Sequence, residues 1–209
     1  MRISILFKRL INKLFRRRKK LKLGIYGPTN VGKTTLANRI ALDWVGEEVG
    51  KVSHIPHETR KVQMKENITI KSDDGRELII NLVDTPGIAT KIDYEEFMKY
   101  GMKKKEALER AKEATQGVIE AIKWLDNMDV VLAVMDATRS PFNQVNLTIL
   151  GNLEARNIPV IIVANKIDRK RADVERIRKA FPQYKVVGIS AKKNINMDKL
   201  YKAMFEVVK

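Results

Sequence analysis

Eight consecutive residues, Gly27-Pro28-Thr29-Asn30-Val31-Gly32-Lys33-Thr34, fit the spacing G-x-x-x-x-G-K-[ST]. An apolar segment suited to a strand precedes them, and a helical pattern follows. The chemistry this suits is the holding of a multiply charged phosphate chain. Backbone N–H groups at a helix N-terminus offer donors and a positive dipole to phosphate oxygens, and glycines at 27 and 32 let the backbone come close. Lys33 would neutralise the two outer phosphates, and the Thr34 hydroxyl would ligate magnesium. Thr35, next in the same turn, belongs with these nucleotide contacts. A glycine turn that merely starts a helix leaves the lysine and the hydroxyl unexplained.

Two further clusters complete a site. Asp84-Thr85-Pro86-Gly87 ends an apolar run. Its carboxylate could hold magnesium through water, and the Gly87 amide could sense the terminal phosphate, although an Asx/Pro turn punctuates many strands. Asn165-Lys166-Ile167-Asp168 follows another apolar run. A carboxylate at 168 can accept both the ring N–H and the exocyclic amine of guanine, whereas adenine would leave it unpaired. Asn165 and Lys166 would brace the loop and cover the ring. Ser190-Ala191-Lys192, after the last strand, could supply a backbone N–H to the guanine oxygen. A polar helix cap is the plainer reading of Asn-Lys-x-Asp.

These segments need a scaffold that gathers strand ends. Leu21 to Tyr26 reads as a strand and Lys33 to about Val45 as a helix. Val62–Ile70 and Glu77–Val83 read as a hairpin turned at Asp73-Asp74-Gly75. Residues 93–127 read as helical, with Leu108, Ala111, Thr115, Val118, Ile122 and Leu125 at spacings of three and four. Asp129–Met135 and Ile158–Val163 are continuous apolar runs, as parallel strands covered on both faces require. Helices near 142–156, 170–180 and from Met197, and a strand near 184–188, fill the remainder. The fold expected is α/β: a doubly wound, mostly parallel six-stranded sheet with one antiparallel strand, carrying ligands at the carboxyl ends of its strands.

The chain has 209 residues, 44% apolar, enough for one core, and no cysteine, which excludes disulfides, thiol nucleophiles and zinc–thiolate sites. Of the net charge of +16, ten basic residues and no acid fall within residues 1–22, leaving +6 elsewhere. The expected organisation is a basic amphipathic helix over 1–20 and a globular domain over 21–209. In the helix, Ile3, Leu6, Phe7, Leu10, Ile11, Leu14 and Phe15 share one face. That arm could lie on an anionic membrane surface, bind RNA or a ribosome through phosphates, or dock its apolar face on the domain. No apolar run is long enough to span a bilayer, and the early apolar stretch lacks a signal peptide's cleavage pattern. A cytoplasmic protein is expected, with the inner membrane surface as its alternative station. The connection 88–128, 41 residues long, far exceeds ordinary connections of about 2–6 residues. It is either a nucleotide-sensing insert that meets a protein effector or an elongated helix packed rigidly on the domain.

The motifs in this order resemble the translation-factor-related class of P-loop GTPases. Asn30 in the phosphate loop, His57-Glu58-Thr59-Arg60 and Asp84-Thr85-Pro86-Gly87 make the chain similar to the Era-like group over residues 21–209. The resemblance implies hydrolysis of GTP to GDP and phosphate with Mg2+, in a slow molecular switch. It makes Thr59 the switch threonine that grips magnesium and the γ-phosphate, with the segment 48–61 released on hydrolysis. Lys33, Thr59, Gly87 and Asn30 become the catalytic group. Asn30 matches the asparagine that coordinates K+ in potassium-activated members; otherwise it bonds only its own loop. Ile88 stands where Ras-like relatives carry a water-orienting glutamine, an absence common among Era-like proteins. The alternative is a membrane- or RNA-binding module with negligible hydrolysis. A small-molecule kinase is disfavoured by the guanine motif. The resemblance covers a GTPase domain without a KH domain, so a ribosomal RNA role is not inherited with it.

Overall fold

The computed structural model describes residues 20–50, 59, 61–89 and 92–207. Of the helix expected over 1–20, residues 1–19 lie outside the described residues and Lys20 instead begins a strand; His57, Glu58, Arg60 and most of the segment around them also lie outside. Six strands are described: β1 (Lys20–Tyr26), β2 (Gln63–Lys71), β3 (Glu77–Asp84), β4 (Val130–Asp136), β5 (Val160–Asn165) and β6 (Lys185–Gly188). They form one sheet in the order β2-β3-β1-β4-β5-β6. Only the β2–β3 pairing is antiparallel; the other four pairings are parallel.

Burial follows from that order. Every residue of β4 and β5 is buried, as interior parallel strands with helices on both faces must be. β2, at the edge, leaves Met64, Glu66, Asn67 and Lys71 exposed. Its ladder is interrupted between Lys65 and Ile68, where Asn67 takes a left-handed φ of 60° and its N–H is caught by the Asn81 side chain.

Helices α1 (Lys33–Trp44) and α6 (Met197–Val207) cover one face. There Leu36 and Ile40 meet Leu23, Ile25, Ile80 and Leu132, with Leu200 and Met204 closing the layer. Helices α3 (Lys104–Trp124), α4 (Gln144–Ala155) and α5 (Val174–Ala180) cover the other. Ala121, Leu150, Leu153 and Ile177 pack there on Val131, Ala133 and Ile162. Each Val, Leu, Ile or Met side chain among these contributes about 1.5–3 kcal/mol when fully removed from water. The Tyr26 hydroxyl donates to the Ala121 carbonyl at 3.0 Å, tying β1 to the end of α3.

The helical reading of 93–127 resolves into two helices. A short helix α2 (Tyr94–Met98), capped by Asp93, ends in a turn at Gly101, whose φ is 87°. Only then does α3 begin. Its inward face is also offset by about one residue in its first turns: Ala107, Arg110, Ala114 and Ala121 are buried, whereas Leu108 is 39% exposed. The physical reason is Phe97. Its ring, fully buried, packs against Ala107 and Ala114, with the Arg110 guanidinium 6.0 Å from its centroid. Small residues let α3 approach closely, so the stripe of larger side chains is not the one that faces inward. Val118 and Ile122 are partly buried on the core, and Leu125 lies in the 3-10 turn after α3.

Candidate nucleotide-binding site

The carboxyl ends of β1, β3, β4 and β5 converge on one edge of the sheet, where a cleft of about 520 Å³ opens. A volume of 300–1,000 Å³ is usual for a small-molecule site. Its floor is the loop between β1 and α1. Gly32 starts α1 with a φ of 98° and no side chain caps the helix. By contrast, Asn143 and Asp173 cap α4 and α5 with their own side chains. The first-turn amides of α1 are thus left for an external acceptor. A β-carbon at Gly32 would fall 2.4 Å from Asn165 Nδ2, and one at Gly27 would fall 2.4 Å from the Val134 carbonyl.

Lys33 is buried, its Nζ donating to the Pro28 carbonyl at 2.8 Å. Burial lowers its pKa to about 8, although the nearby Asp84 charge opposes the change. The Thr34 hydroxyl donates to Asp84 Oδ2 at 2.7 Å and lies 3.0 Å from the Thr59 hydroxyl. Asp84 is fully buried, and burial raises its pKa against the pull of Thr34 and Lys33. Its second oxygen, Oδ1, has no hydrogen bond among the described residues. One carboxylate with a spare buried oxygen and two adjacent hydroxyls is a hard-oxygen set. It fits Mg2+, which takes few protein ligands and completes its shell with water and phosphate oxygens. Gly87 is buried against the loop; a β-carbon there would lie 2.7 Å from the Thr29 methyl and 3.2 Å from Lys33 Nζ. Ile88 turns into the core beside Tyr26 and Val83, its N–H donating to the Gly27 carbonyl at 3.2 Å.

At the other end of the cleft, Asn165 links three loops. Its Nδ2 donates to the Val31 carbonyl at 2.9 Å, and its Oδ1 accepts the Ala191 N–H at 3.1 Å. That Ala191 amide is therefore already engaged, which narrows the expectation that Ser190–Lys192 offers an idle donor. Lys166 takes a left-handed φ of 70°, and its Nζ reaches the Asn30 carbonyl at 2.6 Å. Asp168 is exposed, so a bound base would have to supply its burial. A bond with the Ser190 side chain is the first cause that holds its carboxyl below the usual range. Lys192 is exposed at the rim, while Thr35 and the exposed Asn30 line the same cleft.

Sequence reasoning missed Asp136. This carboxylate, at the end of β4, accepts from Lys166 Nζ at 2.7 Å and from the Thr138 hydroxyl at 2.7 Å. Burial pushes its pKa up, but those bonds outweigh burial and hold it below the usual carboxylate range. The available signal was a carboxylate ending an apolar run, the same pattern that singles out Asp84.

The fold and this cleft define a P-loop nucleotide-binding domain. A model of the family described as 50S ribosome-binding GTPase matches residues 22–166, and the chain belongs to that family. It is 33% identical over 189 residues to GTPase Era of Clostridium acetobutylicum, covering 86% of this chain and 53% of that one. It is 28% identical over 200 residues to GTPase Der of Campylobacter hominis, covering 92% and 38%. Among solved structures, Aquifex aeolicus Era bound to GDP·AlF4− superposes with a TM-score of 0.70 at 27% identity, covering 91% of this chain and 57% of that one. Era in complex with MgGDPNP and nucleotides 1506–1542 of 16S ribosomal RNA gives 0.68 at 27% identity, with the same coverages. The chain thus spans about a third to just over half of the length of these proteins.

Proposed function

We propose that the chain binds GTP with Mg2+ and hydrolyses it slowly to GDP and phosphate, acting as a molecular switch. The observation that carries this reading is one cleft joining the uncapped start of α1 to the Asn165–Asp168 loop, with Asp84, Thr34 and Thr59 gathered beside Lys33. The base would bond Asp168 through its ring N–H and amine, with the Lys166 stem against one face. The triphosphate would replace the Pro28 carbonyl as the partner of Lys33. Thr34 and Thr59, with Asp84 through water, would hold Mg2+, which neutralises the β- and γ-oxygens.

Hydrolysis is in-line: a water oxygen bonds the γ-phosphorus as its bond to the β–γ bridging oxygen breaks. The electron pair leaves on GDP, and the water proton ends on the released phosphate. Lys33 and the loop amides spread the developing charge, and the Gly87 N–H meets a γ-oxygen. Ile88 points into the core and can orient no water, so unaided turnover is slow. Asn30 makes no side-chain hydrogen bond among the described residues, which leaves its amide oxygen to hold K+ beside the phosphates. The relatives' names support hydrolysis, and a complex containing MgGDPNP supports the metal.

A second reading, a nucleotide-dependent module with negligible hydrolysis, is favoured only by Ile88. Single-turnover GTP hydrolysis in equimolar K+ and Na+ separates them. The switch reading expects measurable cleavage that K+ accelerates. Equal rates dispose of the potassium ion, and no cleavage in either salt leaves the module. Residues 1–20 are proposed as an arm for an anionic surface, membrane before RNA, that holds a cytoplasmic domain 21–209 at the inner membrane surface. Among the described residues no helix is long and apolar enough to cross a bilayer. The start of the insert, 88–103, is proposed as the effector-facing switch element, with 104–127 an elongated helix packed on the domain.

A further inference from the structure

Asn38 lies on α1 one turn beyond Thr34, does not line the cleft, and is only 4% exposed. Buried amides need partners, and this one finds all three in a single distant stretch of backbone. Its Nδ2 donates to the Gly50 carbonyl at 2.6 Å, and its Oδ1 accepts the Val49 and Gly50 N–H groups at 2.8 and 2.9 Å. Gly50 is thereby pinned against the side of α1. A β-carbon on Gly50 would sit 3.3 Å from the Thr34 methyl and 2.2 Å from Gln63 Oε1, so only a glycine lets the backbone come this close to both side chains. With Gly50 against its methyl, Thr34 turns its hydroxyl the other way, toward Asp84 Oδ2 and the Thr59 hydroxyl.

We propose that Asn38 is a positioning residue for the magnesium site: by clamping Val49–Gly50 to α1, it fixes the rotamer of Thr34. Asn38 touches neither metal nor nucleotide and acts only through Gly50. The inference rests on the reading that Thr34 ligates Mg2+. Partners that orient metal ligands typically change metal affinity about 10–100-fold when removed.

The test uses the full chain loaded with a fluorescent, non-hydrolysable GTP analogue, which keeps the segment 48–61 in place, and its release is followed from chelator-treated buffer to millimolar free Mg2+. The Mg2+ concentration that half-maximally slows release should rise about tenfold in Asn38→Leu, which removes all three bonds at similar volume. Release without Mg2+ should stay at the wild-type rate. Asn38→Asp keeps the two acceptor bonds but sets a carboxylate oxygen against the Gly50 carbonyl, so it too should raise the midpoint; it carries the test if the leucine variant does not fold. Faster release at every Mg2+ concentration, with an unmoved midpoint, would make Asn38 an ordinary structural contact and overturn the proposal. Wild-type release that ignores Mg2+ would instead defeat the underlying reading of Thr34, a result distinct from either variant behaving like wild type.

Discussion

Lys33 carries a cost that folding creates and a phosphate relieves. In the nucleotide-free chain it titrates near 8, lowered by burial, whereas an unfolded lysine holds its proton to about 10.4. Between these values the unfolded state binds more protons, so raising the pH from 8 to 10 stabilises the folded chain through this group. Lys33→Met should lose that gain: its urea midpoint, compared with wild type at both pH values, should be relatively higher at pH 8 than at pH 10. A bound triphosphate restores the lysine charge, so GTP affinity should fall by up to about tenfold per pH unit above 8. Asp136 is the other residue whose loss should be felt at the nucleotide. It fixes Lys166 across the cleft, and a charge-assisted bond of this kind is worth about 1.5–3 kcal/mol. Asp136→Ala should therefore lower the melting temperature by several degrees and, by freeing Lys166, weaken GDP binding about tenfold or more in a fluorescence titration.

At the scale of elements, the sheet and the site segments were legible because each rule they obey is local. Uninterrupted apolar runs mark β4 and β5, and glycines with a lysine mark the start of α1. Asp84 and Asn165–Asp168 stand out because polar residues abruptly end those runs. What escaped reading was tertiary. Asp136 looks like any strand-ending carboxylate until Lys166 is brought across from β5, and Asn38 looks like a polar residue mid-helix until Gly50 folds onto it. The register of α3 escaped for the same reason: Phe97, from a separate short helix, selects the alanine face over the leucine face. A direct consequence is that Phe97→Ala should cost about 3–5 kcal/mol in equilibrium unfolding. Leu108→Ala, on the face that the spacing favours, should cost under about 1 kcal/mol. Equal costs would restore the inward face read from the spacing of Leu108, Ala111 and Thr115.

Across the whole molecule, charge and cleft are separate devices. The excess of positive charge sits in residues 1–22, while the nucleotide site is built at the carboxyl edge of the sheet. Full-length protein should co-sediment with anionic vesicles at 50 mM salt and release them by 200 mM, as a counterion-dependent contact does. Deleting residues 1–20 should abolish that binding and leave GDP affinity unchanged; vesicle binding that survives deletion would place the contact elsewhere. Asp168 at one end and the α1 amides at the other allow one ligand, a guanine nucleotide, to satisfy both. The most direct test is competition of Mg2+-loaded GTP and ATP for the purified chain by equilibrium titration. A preference for GTP of at least about a hundredfold is the predicted result, since adenine leaves Asp168 without a donor pair; equal affinity for the two would contradict the assignment of this cleft.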